Sequence, residues 1–174
     1  MHIDDGFDFL GFNLRKYHGK LLTKPAPTSI AAVKETIRRL IRASLGFAQD
    51  GLIRLLNPIL RGWGHYYRRV VSKRVFTAID HAIWRMTWNW ARRRHPGRGG
   101  PWIKARYYAR KGRADWVFTD GAEVLFSLAS IPIRRHVKIR AEANPYDASW
   151  AAYFINRTAR YGQARPGTLA WLSP

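Results

Sequence analysis

Apolar residues at Ile30, Val33, Ile37, Leu40, Ile41 and Leu45 recur at spacings of three and four, the period of a helix with one inward face. The run Lys24-Pro25-Ala26-Pro27 breaks the chain ahead of them, Thr28 or Ser29 is placed to cap the helix, and Gly46 ends it. A second helix is expected behind Asp50 as its cap, with Leu52, Ile53, Leu56, Ile59, Leu60, Trp63 and Tyr67 on its buried side. Pro58 falls inside this pattern, where a missing N–H and a ring clash predict a kink or a late start. Ser72 caps a third helix carrying Phe76, Ile79, Ile83, Met86 and Trp90, and His95-Pro96-Gly97 stops it. Three such helices on short connections predict a small bundle.

The period changes on both sides of the bundle. Leu10, Phe12 and Leu14 alternate, His18-Gly19 makes a turn and Leu21-Leu22 returns, which predicts a β-hairpin over 7–22. A lone hairpin is marginal in water, so it must pack on the helices or belong to a larger sheet. Past the Gly- and Pro-containing break at 96–101, a brief helix is expected at 102–109 and short strands at 115–118, 124–126 and 133–139. Asp147 should cap a terminal helix over 148–161. The expected fold class is mainly α: a three-helix bundle with an N-terminal β-hairpin and a small α+β C-terminal extension. The divisions fall at 1–24 for the hairpin, 25–98 for the bundle, 99–161 for the extension and 162–174 for a frayed tail.

Charge sharpens this picture. The 174 residues carry a formal net charge of +20, and between Gly51 and Ala114 there are 16 Lys or Arg against one acid, Asp80. A field that concentrated and of one sign favours a polyanionic partner, with nucleic acid the commonest. Solubility alone needs neither that magnitude nor a single sign. The chain has no cysteine, which rules out disulfides and cysteine-bound zinc, and its six histidines show no ligand spacing. The longest uncharged apolar run, 124–133, is too short to span a bilayer, and the expected setting is soluble and cytoplasmic, without a membrane partner.

Catalytic groups are scarce. Asp4-Asp5 is the one adjacent acidic pair, but no other carboxylate lies at a suggestive spacing for a metal, and no Gly-rich phosphate loop is present. No catalytic residue, metal or cofactor is expected. Binding candidates are plentiful. In LNPILRGWGHYYRR, from Leu56 to Arg69, aromatic and arginine residues interleave within a helix, a mixture suited to phosphates and bases. Arg61, Arg68, Arg69, Lys73 and Arg74 cluster around the turn between the second and third helices as phosphate contacts, with Tyr66 accessible and Tyr67 buried. Arg92, Arg93, Arg94 and Lys104 extend the basic surface. Arg134, Arg135, His136 and Lys138 add a further basic segment, within which Arg134, His136, Lys138 and Arg140 share a strand face. Trp63, Trp84, Trp88, Trp90 and Trp102 are assigned to packing, and truncating Trp84 is expected to unfold the bundle.

With these residues in view, the chain resembles the C-terminal part of group II intron reverse transcriptases, the thumb or maturase-specific (X) domain. The resemblance rests on Gly6-Phe7-Asp8-Phe9-Leu10-Gly11-Phe12, then LNPILRGWGHYYRR, Ile83-Trp84 with Trp90-Ala91-Arg92-Arg93-Arg94-His95-Pro96, Arg135-His136-Val137-Lys138-Ile139 and Ala143-Asn144-Pro145-Tyr146-Asp147. It implies that 1–24 is a remnant of the polymerase palm's closing strands and that the bundle is the thumb. It also implies binding to group II intron RNA that assists folding and splicing. The family's fingers and palm, with the Tyr-x-Asp-Asp loop, lie upstream of Gly6 in such proteins, and Asp4-Asp5 does not replace them, so polymerase activity is not expected from this polypeptide. Other partners in view are a primer–template duplex of RNA and DNA, and a separate fingers–palm chain that the thumb would complete. A non-specific basic nucleic-acid-binding fragment is the remaining alternative.

Overall fold

The computed structural model describes residues 3–134 and 139–161, and the chain divides into two compact units, one up to Arg135 and one from His136. The first unit opens with a three-stranded antiparallel meander of β1 (Phe7–Phe9), β2 (Phe12–Tyr17) and β3 (Lys20–Pro25). Both of its turns are two residues long and left-handed throughout: Leu10 and Gly11 have φ of 47° and 79°, and His18 and Gly19 have 47° and 76°. Turns of that hand match the twist of the strands they join. The expected hairpin is thus the β2–β3 half of a larger sheet, and Leu10 is a turn tip, 71% exposed, rather than an inward strand residue.

The sheet is fastened to the helices through backbone groups. The Gly11 carbonyl accepts from the Ala26 N–H (2.8 Å) and from the Tyr67 hydroxyl (2.9 Å), and the Val71 N–H donates to Thr23 (2.9 Å). Phe12 lies edge-on to Tyr67, with ring centroids 5.1 Å apart.

Three helices follow: α1 (Pro27–Ala43), α2 (Gln49–Tyr67) and α3 (Lys73–Arg94). Their inner faces are those the 3.6-residue period predicts, with Val33, Ile37 and Ile41 meeting Leu52, Ile53, Leu56 and Leu60 and then Phe76, Ile79 and Ile83 in one core. Their ends differ from expectation. Pro27 starts α1 as its first residue, where its fixed φ suits a helix and its missing N–H costs nothing, so neither Thr28 nor Ser29 caps it. Ala48, not Asp50, precedes α2, and Asp50 sits in the first turn paired with Arg54. The neighbouring guanidinium holds the Asp50 carboxyl below its ordinary pKa. α2 runs on through Pro58, so the expected late start does not occur. Ser72 occupies the cap position of α3 but turns its hydroxyl back to the Tyr67 carbonyl at 2.9 Å.

The end of α3 ties the bundle together. Trp90 is 1% exposed and donates its indole N–H to the Ser44 carbonyl (2.9 Å). Behind it come α4 (Gly100–Tyr107) and a small hairpin of β4 (Tyr108–Lys111) and β5 (Ala114–Phe118). Gln49 donates to the Tyr107 carbonyl (2.8 Å), and the Tyr108 hydroxyl meets Thr87 (2.9 Å). Burial pushes the Tyr108 phenol far above its ordinary pKa and keeps it protonated.

Residues 119–134 then return along the bundle as a strap. The strand expected at 124–126 is reduced to a single bridge between Thr119 and Val124, because Asn57 captures the neighbouring backbone, donating to Val124 (3.0 Å) and accepting from Phe126 (2.8 Å). Asp80 accepts from the Ser127 hydroxyl (2.7 Å) and the Leu128 and Ala129 N–H groups (2.9 and 2.8 Å), fixing a 3-10 turn at Leu128–Ser130. Leu128 and Ile131 fill a notch in α2 that exists because residue 64 is glycine, since a Cβ there would overlap both side chains. Asp80→Ala removes three hydrogen bonds to one carboxylate and leaves two backbone donors without their acceptor. A loss of about 3 kcal/mol in urea unfolding is expected, and an unchanged midpoint would show that the strap holds without its anchor.

In the second unit Asp147 accepts from the Ser149 N–H (2.9 Å) and hydroxyl (2.8 Å), opening a turn that leads into α5 (Ala151–Tyr161). The cap expected at Asp147 is present, and the Ser149 bonds lower its carboxyl pKa.

Candidate nucleic-acid interface

Cations from three segments of the first unit meet where α2 turns into α3. Arg61 is exposed on the last turns of α2, with its guanidinium 5.1 Å from the Phe126 ring centroid. Arg68 ends α2 and is half-buried, Arg69 and Arg74 are exposed, and the strap joins them because the Arg134 N–H donates to the Arg68 carbonyl (2.9 Å). Adjacent to this corner runs a line along α3. Arg74, His81, Arg85 and Arg92 are exposed, follow one another at intervals of seven, four and seven residues, and share a face with half-buried Trp88. At 1.5 Å per residue, the line from Arg74 to Arg92 is about 27 Å long. The one acid of this region, Asp80, is engaged by three donors of the strap.

Two of the candidate cations have structural duties instead. The Lys73 ammonium donates to the Ile131 carbonyl (3.2 Å) and to that of Ala129, clamping the strap to the start of α3. The Arg94 guanidinium donates to the carbonyls of Leu45 (2.8 Å) and Phe47 and lies 4.7 Å from the centroid of Trp90, holding the α1–α2 connection. Tyr66 is 53% exposed, yet one ring face stacks on Phe12 (5.0 Å) and its hydroxyl donates to Leu10 (2.9 Å), which leaves at most one face for a base. Lys104 rests its ammonium 4.6 Å from the Trp116 ring. Arg135, His136 and Lys138 lie outside the described residues.

A further basic feature was missed in the sequence. Arg38 and Arg42 of α1 face Arg93 of α3 across a cleft of about 110 Å³, with Asn89 on its wall. Arg38 also pairs with Glu35. The signal available was the helical spacing of Arg38 and Arg42, but nothing in sequence brings Arg93 opposite them. Among the described residues no group of three or more His, Asp or Glu is placed to hold a metal ion, and no helix is long and apolar enough to cross a membrane.

Exposed arginines on the helices of this basic bundle make a strongly cationic surface. Residues 30–108, somewhat less than half of the chain, match the family described as the group II intron maturase-specific domain. Over those residues the chain is similar to that domain. The match takes in all of α2, α3 and α4 and nearly all of α1. Comparison with curated proteins gave no match.

Proposed function

We propose that this protein binds group II intron RNA and assists its folding and splicing, using the α2–α3 corner and the arginine line of α3 to hold the RNA backbone. The observation that carries the reading is the convergence of Arg61, Arg68, Arg69 and Arg74 next to a 22-residue helix bearing Arg85 and Arg92 on one exposed face. Guanidinium groups fixed on rigid helices match phosphate geometry and lose little freedom on binding. The maturase-specific domain match supports intron RNA as the target.

The test is a salt titration of binding to a folded group II intron RNA and to an unrelated structured RNA of equal length. The intron RNA is expected to keep its advantage as salt rises, because fit survives screening whereas phosphate contacts alone do not. Parallel loss of both RNAs would instead identify a non-specific basic fragment.

A second reading, the thumb of a split reverse transcriptase that also contacts a primer–template duplex, is favoured by one feature. The β1–β2 turn presents Phe9 and Leu10 to solvent, an apolar tip suited to a fingers–palm chain. Polymerase activity on mixing with such a chain, absent from either alone, is its requirement.

A further inference from the structure

Between α3 and the β4–β5 hairpin lies an open cavity of about 350 Å³ that the bundle core does not fill. This is the size range of small-molecule sites, roughly 300–1,000 Å³. Its walls are aromatic. Trp84 and Tyr108 line it, and Trp116 stands nearly perpendicular to Trp84 (86°, centroids 5.7 Å apart) while remaining 41% exposed. His81 lines it too, stacked on Trp84 at 5.6 Å, and its ring nitrogens have no hydrogen-bond partner among the described residues.

One cation stands at the rim: Lys104 sits 4.6 Å from the ring centroid of the lining residue Trp116. Asp80 also lines the cavity, with its carboxylate turned to three donors of the strap, and strand alternation puts Asp115 on the face opposite Ala114 and Trp116. Flat aromatic walls, an unengaged imidazole and a lysine at the mouth suit a planar base attached to an anionic backbone. An apolar peptide side chain would use the walls but not the charge.

We propose that this cavity receives one unstacked nucleobase of a single-stranded RNA segment, with Lys104 meeting a flanking phosphate. The site rests on the nucleic-acid reading above and adds base contact to backbone contact. It lies beside the arginine line of α3, so a strand held by that line passes the mouth of the cavity.

The test compares an adenosine hexanucleotide with a fully abasic hexanucleotide of the same backbone, reading dissociation constants and intrinsic tryptophan fluorescence on the whole chain. The base-bearing strand is expected to bind about tenfold or more tightly and to quench tryptophan emission, since stacking of one base is worth about that factor or more. Trp116→Ala should abolish the preference. Ala114→Phe should do the same by filling the cavity, without removing a wall, and circular dichroism confirms that each variant is folded. Equal binding of the two strands with a normal salt slope would overturn the pocket while leaving the backbone reading intact. Binding of neither strand nor of intron RNA would overturn both. Capture of an aromatic peptide by the cavity, with no preference for the base-bearing strand, would identify it as a protein-docking site and overturn the proposal as well.

Discussion

Trp90→Ala should destabilise the bundle more than any other single aromatic truncation, by about 4 kcal/mol, the range for removing a buried large aromatic. Trp90 is fully enclosed, packs edge-on against Tyr107 and Phe118 (5.6 and 5.9 Å), and supplies the N–H that satisfies the Ser44 carbonyl. Its loss removes apolar contacts and strands that carbonyl, and it takes away the ring on which the Arg94 guanidinium rests. A fall in melting temperature on the order of 10 °C is expected for a unit of this size. Trp84→Ala should cost clearly less, because Trp84 is only half-buried and borders an existing cavity. The ordering of these two melting temperatures is the measurement, and a reversed order would mean that Trp84 is the central tryptophan after all.

Replacing Arg68, Arg69 and Arg74 together with Gln should weaken RNA binding by a factor of roughly 10 to 100 near physiological salt and leave the melting temperature within a few degrees. Each phosphate contact contributes about 0.7 to 0.9 to the slope of log affinity against log salt, so losing three lowers the slope by about 2 to 3. Arg68 serves the strap through its carbonyl, which glutamine keeps. Lys73 is left out of the combination on purpose. Its ammonium holds the Ala129 and Ile131 carbonyls, so a fourth substitution there would confuse lost binding with a loosened strap. An unchanged slope in the triple variant would move the interface away from the α2–α3 corner, toward the cleft of Arg38, Arg42 and Arg93.

The bundle was legible because α1, α2 and α3 each keep their apolar residues at helical spacing over four or more turns, and burial follows that spacing at Ile37, Leu56 and Ile79. Trp90 and Trp84 were harder to rank. The inner stripe of α3 passes through Thr87, a polar residue that is buried only because its hydroxyl bonds to Ile83 (3.1 Å) and meets Tyr108 (2.9 Å). Without those partners in view, the pattern does not rank Trp90 above Trp84. Leu10 misled for a different reason: an alternating pattern does not announce that a leucine will take φ of 47° at a turn. The candidate site was legible as a basic corner, because charge density is a local property. The carbonyl contacts of Lys73 and Arg94 were not legible, because a cation's sequence neighbours do not say whether its far end reaches a carbonyl from another segment. The strap carbonyls that receive Lys73 lie more than fifty residues later.

That strap also bears on where this molecule can be divided. The family match begins at Ile30 and closes at Tyr108, yet the notch left by Gly64 is filled by Leu128 and Ile131, and the Tyr67 hydroxyl finds its acceptor at Gly11. The stretch that matches the family is therefore smaller than the body that folds. A fragment cut to residues 30–108 would expose a leucine-sized groove on α2 and leave Asp80 without the donors that enclose it, whereas one spanning 6–134 keeps both seams closed.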